Sequence, residues 1–112
     1  MIEQYPREES LHIIKHVEAN PEITQRALSN RLNISLGKTN YLLKELIKKG
    51  FIKAGSFSRN SGKMQKVQYL LTKDGLEEKL RLTYYFLQVK ESEYSRIKKE
   101  WESLMSGEKG AS

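Results

Sequence analysis

Leu11, Ile14 and Val17 recur every three residues in REESLHIIKHVEA, which lines one face of a helix with apolar side chains. Pro6 stands where such a helix can begin, Glu8 and Glu9 suit the positive end of its dipole, and Asn20-Pro21 ends it. The pattern predicts a helix over residues 7–19. Thr24 then opens a shorter apolar pattern, Ala27, Leu28 and Leu32, with its hydroxyl placed to accept from an otherwise unpaired backbone N–H. Asn33 suits a left-handed residue at the end of that helix, and Ile34 fills the turn. Ser35 caps a third helix with two different sides. Thr39, Leu42, Leu43, Leu46 and Ile47 face inward, and Gly37, Lys38, Asn40, Tyr41, Lys44 and Lys48 face out. Gly50 stops it, because glycine accepts a positive φ without strain.

After Gly50 the period changes from helical to extended. FIKAGSF at 51–57 reads as a strand, SRNSGKMQK as a polar connection, and VQYLL at 67–71 as the returning strand. Thr72 caps a last helix that runs from Asp74 to about Met105, with no proline and no glycine after Gly75. At 1.5 Å per residue it would extend about 45 Å, longer than a small domain can cover. Leu76, Leu80, Thr83, Leu87, Lys90, Tyr94, Ile97, Trp101 and Leu104 follow a heptad frame, all apolar or aromatic except Thr83 and Lys90. Leu82, Tyr84, Tyr85 and Phe86 add apolar area around the first of these turns, enough to pack on the chain's own domain and on a second subunit. Lys90, polar within the seam, is read as a register-fixing residue. The reading is mainly α with a small β-hairpin (α+β): a domain over 7–72, a long dimerisation helix over 73–105, and a small, polar, disordered tail over 106–112.

The charge changes this picture once it is located. The net charge is +6, yet between Ser35 and Gln68 eight basic residues (Lys38, Lys44, Lys48, Lys49, Lys53, Arg59, Lys63 and Lys66) face one acid, Glu45. The rest of the chain holds 12 basic and 13 acidic residues, so the excess belongs to the third helix and the hairpin. A solvated surface intersperses the signs; a one-sided block is the footprint of a polyanion partner. Other chemistries find little support. With no cysteine there is no disulfide framework and no thiolate metal site. His12 and His16 are four apart but lack a third ligand and the glutamate of a helical zinc-protease motif. No glycine-rich phosphate loop and no nucleophile paired with a histidine occurs, so neither enzyme nor cofactor is expected. The polar, acidic start MIEQYPREES is unlike a secretion signal, and the longest apolar run is too short for a membrane span, so a cytoplasmic, nucleoid-associated protein is expected.

A hairpin with a basic tip directly after a helix-turn-helix is the winged-helix arrangement. Lys38, Asn40, Tyr41 and Lys44 are the candidate base-reading residues, since asparagine pairs with adenine in two places and lysine reaches guanine acceptors. Ser35, Gly37, Lys48, Lys49, Arg59, Lys63 and Lys66 are the candidate phosphate contacts, adding affinity without sequence information. Leu80, Leu87, Tyr94, Ile97, Trp101 and Leu104 are the candidate dimer interface, which would present the reading helix twice and imply a palindromic duplex site. Two other readings compete. The last helix could bind a different protein, making the chain an interaction module. Single-stranded or RNA binding would need aromatics interleaved with basic residues on an exposed sheet, and only Tyr41 and Phe57 come close.

QRALSNRLNISLGKTNYLLKELIKKGFIKAGSF followed by YLLTKDGLEEKLRLTYYFLQVKESEY resembles the bacterial MarR-like winged-helix regulators, and within them the exopolysaccharide-associated transcriptional regulators. The likeness spans roughly residues 7–101, with SLGKTNY and LTKDG its most specific parts. It implies a homodimeric DNA-binding regulator tied to polysaccharide synthesis genes. The Asp-x-Arg pair that larger members carry near the return strand is replaced here by KMQKVQ, and the chain is shorter at its N-terminus.

Overall fold

The computed structural model describes residues 6–58 and 65–110. In chain order it contains α1 (Arg7–Ala19), α2 (Gln25–Leu32), α3 (Leu36–Lys48), β1 (Ile52–Ser58), β2 (Gln65–Leu71) and α4 (Lys73–Gly110). The ends of these elements follow from local chemistry. The Thr24 hydroxyl accepts from the Ala27 N–H, and the Ser35 hydroxyl from the Lys38 N–H, each at 3.0 Å. Asn33 takes the left-handed conformation, φ 58° and ψ 45°, that closes α2. Gly50, at φ 84°, reverses the chain after α3 while the Phe51 N–H donates back to the Leu46 carbonyl. That bond holds Phe51 to the helix end, so β1 starts at Ile52, one residue later than the sequence pattern places it.

Two compact units divide the chain, residues 1–82 and 83–112. The core of the first draws on every element: Leu11, Ile13, Ile14 and Val17 from α1, Leu28 from α2, Leu42, Leu43 and Leu46 from α3, Ile52 and Tyr69 from the strands, and Leu82 from α4. Removing each from water contributes roughly 1.5–3 kcal/mol. Some positions expected inside lie at the edge. Ala27, Leu32 and Ile34 are half-buried, because α2 is only eight residues long and its turn lies at the surface, and Ile47 is half-buried in the last turn of α3. Ser10 and Ser29 are buried instead, and Thr39 is buried as its inward position requires; Ser29 and Thr39 satisfy their hydroxyls on the carbonyls of Arg26 and Ser35.

β1 and β2 pair antiparallel from Ile52↔Leu71 to Ser58↔Gln65, and the Tyr69 N–H donates to the Pro21 carbonyl at 2.8 Å, seating the α1–α2 link on the hairpin. The root of the hairpin is a tight joint. The Thr72 hydroxyl donates to the Gly50 carbonyl at 2.6 Å, its N–H donates to the Phe51 carbonyl at 3.1 Å, and its Oγ1 accepts from the Gly75 N–H at 2.9 Å. One residue thus caps α4 and fastens it to the end of α3. Gly75 sits against this joint: a Cβ there would lie 2.0 Å from the Phe51 carbonyl oxygen and 2.6 Å from Leu71 Cδ1. Glu78, buried, is held by Arg81 through two hydrogen bonds of 2.8 and 2.6 Å, and Lys79 pairs with Glu18 of α1.

The described residues of the second unit, 83–110, all belong to α4. The helix runs to Gly110, so the tail expected from residue 106 is helical over its first five residues. Extending an existing helix carries no nucleation cost, and no proline stops it. Tyr84, Leu87, Tyr94, Ile97, Trp101 and Leu104 are all exposed on this unit. Leu82, expected to pack on the domain and on a second subunit together, is fully buried.

The joint predicts that Gly75→Ala destabilises the chain by about 2–4 kcal/mol, because backbone must move to admit the methyl. Gly55→Ala, where a Cβ meets nothing within 4 Å, should change stability by less than about 1 kcal/mol. Urea unfolding of both variants checks the contrast.

Candidate nucleic-acid interface

Thr39, Leu42, Leu43 and Leu46 are buried, and they lie on one side of α3. The opposite side is then fixed. Gly37, Tyr41, Lys44 and Lys48 follow one another at intervals of four, three and four residues, which stacks them into one outward ridge, and all four are exposed. Tyr41 is 48% exposed. Nothing lies within 4 Å of where a Gly37 Cβ would be, so the first turn of the ridge presents bare backbone. Among the described residues no acid holds Lys44 or Lys48; Glu45 lies on the flank. The ridge is therefore a stripe of one aromatic and two lysines, with no negative charge in it.

The candidate base-reading set divides. Tyr41 and Lys44 stand on the ridge. Lys38 lies to one flank, where its ammonium meets Glu9 of α1 at 2.7 Å, and Asn40 is half-buried on the other. Burial of Thr39 at the centre of the inward face pushes its two neighbours to opposite edges. Of the candidate phosphate contacts, Ser35 is exposed with its hydroxyl committed as the α3 cap, and Lys48 and Lys49 are exposed at the far end of the helix. Lys53 is exposed on β1. Arg59 and Lys63 lie outside the described residues, and so does the Lys66 side chain. The candidate dimer residues Leu80, Leu87, Tyr94, Ile97, Trp101 and Leu104 are each between 51% and 65% exposed.

Sequence reasoning missed two features. Glu9 suits the helix dipole by its position, and nothing local in the sequence signals its ion pair with Lys38, which joins residues 29 apart. The second was legible. The α2 octapeptide QRALSNRL carries two arginines and no acid; Arg26 is exposed in its first turn, and Asn30 and Arg31 are exposed beside the turn that follows it. Arg31 also reaches electrostatically to His16 on α1, a half-buried residue. Burial first, then the charges of Arg31, His12 and Lys15, lower its pKa from the ordinary 6.5. Among the described residues no group of three histidines, acids or cysteines could hold a metal, and no helix is long and apolar enough to cross a membrane.

A helical pair joined by a left-handed turn, an outward second helix and a hairpin after it decide the architecture. The chain folds as a winged helix-turn-helix. Residues 10–53 match the family model for winged helix-turn-helix DNA-binding domains. Solved structures agree over most of the chain. MepR, a transcription regulator of the multidrug efflux pump MepA in Staphylococcus aureus, is similar at 19% identity and a TM-score of 0.60, over 89% of this chain and 72% of that one. FabT of Streptococcus pneumoniae, solved in complex with DNA, is similar at 22% and 0.54, over 93% and 76%. The MarR-family protein Rv2887 of Mycobacterium tuberculosis, solved with salicylic acid, is similar at 12% and 0.62, over 88% and 73%. A search of the curated proteins finds no match to the chain. The winged helix-turn-helix is thus the shared feature, with the long C-terminal helix continuing from it.

The depressed pKa of His16 makes stability depend on pH. Below about pH 6.5 the unfolded chain takes a proton that the folded winged helix resists, so stability falls as pH drops from there through the folded value. Urea unfolding between about pH 7.5 and pH 5 should show this loss, and His16→Gln should reduce it.

Proposed function

We propose that the chain is a sequence-specific, double-stranded DNA-binding transcriptional regulator acting as a homodimer. The observation that carries this reading is the acid-free outward ridge of α3. Its dimensions suit the duplex: the major groove is about 12 Å wide and admits an α-helix of roughly 10–12 Å diameter. Tyr41 and Lys44 stand at the centre of the ridge and face base edges; Lys38 and Asn40 reach the edges of the same contact. For Lys38 this means exchanging Glu9 for an acceptor on the duplex. Lys48 and Lys49 hold phosphate. Gly37 and the capped turn at Ser35 let the sugar–phosphate backbone approach closely. Arg59, Lys63 and Lys66 extend the phosphate contact along the hairpin, an assignment that rests on their charge alone.

The likeness in fold to FabT, solved with DNA, and to a MepR variant bound to an oligodeoxyribonucleotide supports the same class of partner. A homodimer built on the exposed stripe of α4 would repeat the ridge about a two-fold axis, and its operator would be an inverted repeat. The further link to exopolysaccharide synthesis genes rests on the resemblance in the sequence and on no feature of the fold.

Selection of bound sequences from a random duplex pool tests the proposal directly. An inverted repeat should be enriched. Lys44→Ala should lose about 1–3 kcal/mol of discrimination at one position of each half-site. Lys48→Ala should weaken every duplex alike and lower the slope of log affinity against log salt by about one. Equal affinity of the unmutated protein for all duplexes at physiological salt would contradict specific readout.

A further inference from the structure

The homodimer proposed above leaves open how two α4 helices run past each other, and the side chains of the second unit narrow the choice. Its seam consists of Leu87, Lys90, Tyr94, Ile97, Trp101 and Leu104, spaced alternately by three and four residues. Five are exposed apolar or aromatic residues, and the sixth is a cation. Lys90 is 72% exposed and only loosely engaged by Glu93 at 3.6 Å. In a parallel pair each seam residue meets its own copy. Two Lys90 ammonium groups would then share one layer of an apolar seam, where water is scarce and repulsion is strong.

An antiparallel pair sets the two alternating rows of the seam against each other instead. With Tyr94 opposite Ile97 of the partner subunit, Leu87 comes opposite the partner's Leu104. Lys90 comes opposite the partner's Trp101. Every member of the seam finds a mate among the same six residues. Leucine meets leucine, tyrosine meets isoleucine, and the lysine lays its stem and ammonium on an indole, the aromatic ring that attracts a cation most strongly. The flanks also favour this register, since Glu91 falls beside Lys98 of the partner subunit, twice by symmetry. Glu93, which turns towards the partner's Glu100, is already drawn to Lys90 within its own helix. Sliding the pair by one heptad either sets Glu91 against its own copy, leaving Leu104 unmatched within residues 83–112, or sets Lys98 against its own copy and takes Leu87 away from the partner's Leu104.

We propose that two copies pair along α4 in antiparallel direction about an axis between Ser95 and Arg96, with Lys90 on the partner's Trp101. This rests on the homodimer reading and adds its direction and register.

The chain has no cysteine, so introduced thiols report unambiguously. Leu87→Cys and Leu104→Cys are made separately, mixed, and oxidised gently, with circular dichroism confirming that each is folded. A covalent dimer is expected only in the mixture. Self-crosslinking of Leu87→Cys overturns the proposal, because those positions meet only in a parallel pair. A surface charge swap gives a second arm that spares the seam. Glu91→Lys or Lys98→Glu alone should weaken the dimer by roughly fivefold, and the double variant should regain most of the loss; no recovery counts against the register. Sedimentation of the unmutated chain keeps the two claims apart. A monomer at micromolar concentration removes the homodimer itself and favours a different protein's helix. A dimer without the mixed disulfide removes only the antiparallel register.

Discussion

The burial of one side of α3 is the constraint on which the rest of the structure depends. Thr39, Leu42, Leu43 and Leu46 close the core between α1, α2 and the hairpin, and truncating any of the three leucines to alanine would cost about 2–5 kcal/mol. A helix has one period, so committing these four positions inward commits Gly37, Tyr41, Lys44 and Lys48 outward. The core thereby aims the basic ridge. The capped turn at Ser35 and the left-handed Asn33 set where the helix begins, and Gly50 with the Thr72 joint sets where it ends. A ridge held at both ends and along its back presents its side chains with little entropy left to lose on binding.

Electrostatics then separates what the ridge offers from what the fold consumes. The Lys38–Glu9 pair connects α1 to α3 at the surface, where such a contact contributes little to stability, on the order of 0–1 kcal/mol. Its consequence lies in the distribution of charge, since it leaves Lys44 and Lys48 as the cations of α3 that no acid among the described residues holds. Glu78 with Arg81 and Glu18 with Lys79 use acids away from α3 in the same way. Glu9, Glu18 and Glu78 each hold one base on the first unit, and the outward side of α3 remains positive.

Much of this was legible in the chain because it is local. Helix spans, the caps at Thr24, Ser35 and Thr72, and the left-handed Asn33 depend on residues within a few positions of one another. The two sides of α3 followed from spacing alone. What the sequence hid is non-local. The 29-residue reach between Glu9 and Lys38 and the burial of Glu78 have no periodic signature. Gly75 was visible as part of LTKDG, but the reason for glycine there is the Phe51 carbonyl, 24 residues earlier. The helical conformation of residues 106–110 has another origin. Glycine and serine lower helix propensity without ending a helix that is already formed.

Lysine reactivity tests the central claim most directly, because it reads the outward ridge in the unmutated protein. Acetylation of the free chain and of the chain saturated with a selected duplex is followed residue by residue by mass spectrometry. Lys44 and Lys48 should be modified in the free protein and protected in the complex, while Lys98 and Lys99 on the second unit stay reactive in both. Protection confined to the second unit, with Lys44 and Lys48 as reactive bound as free, would contradict the account.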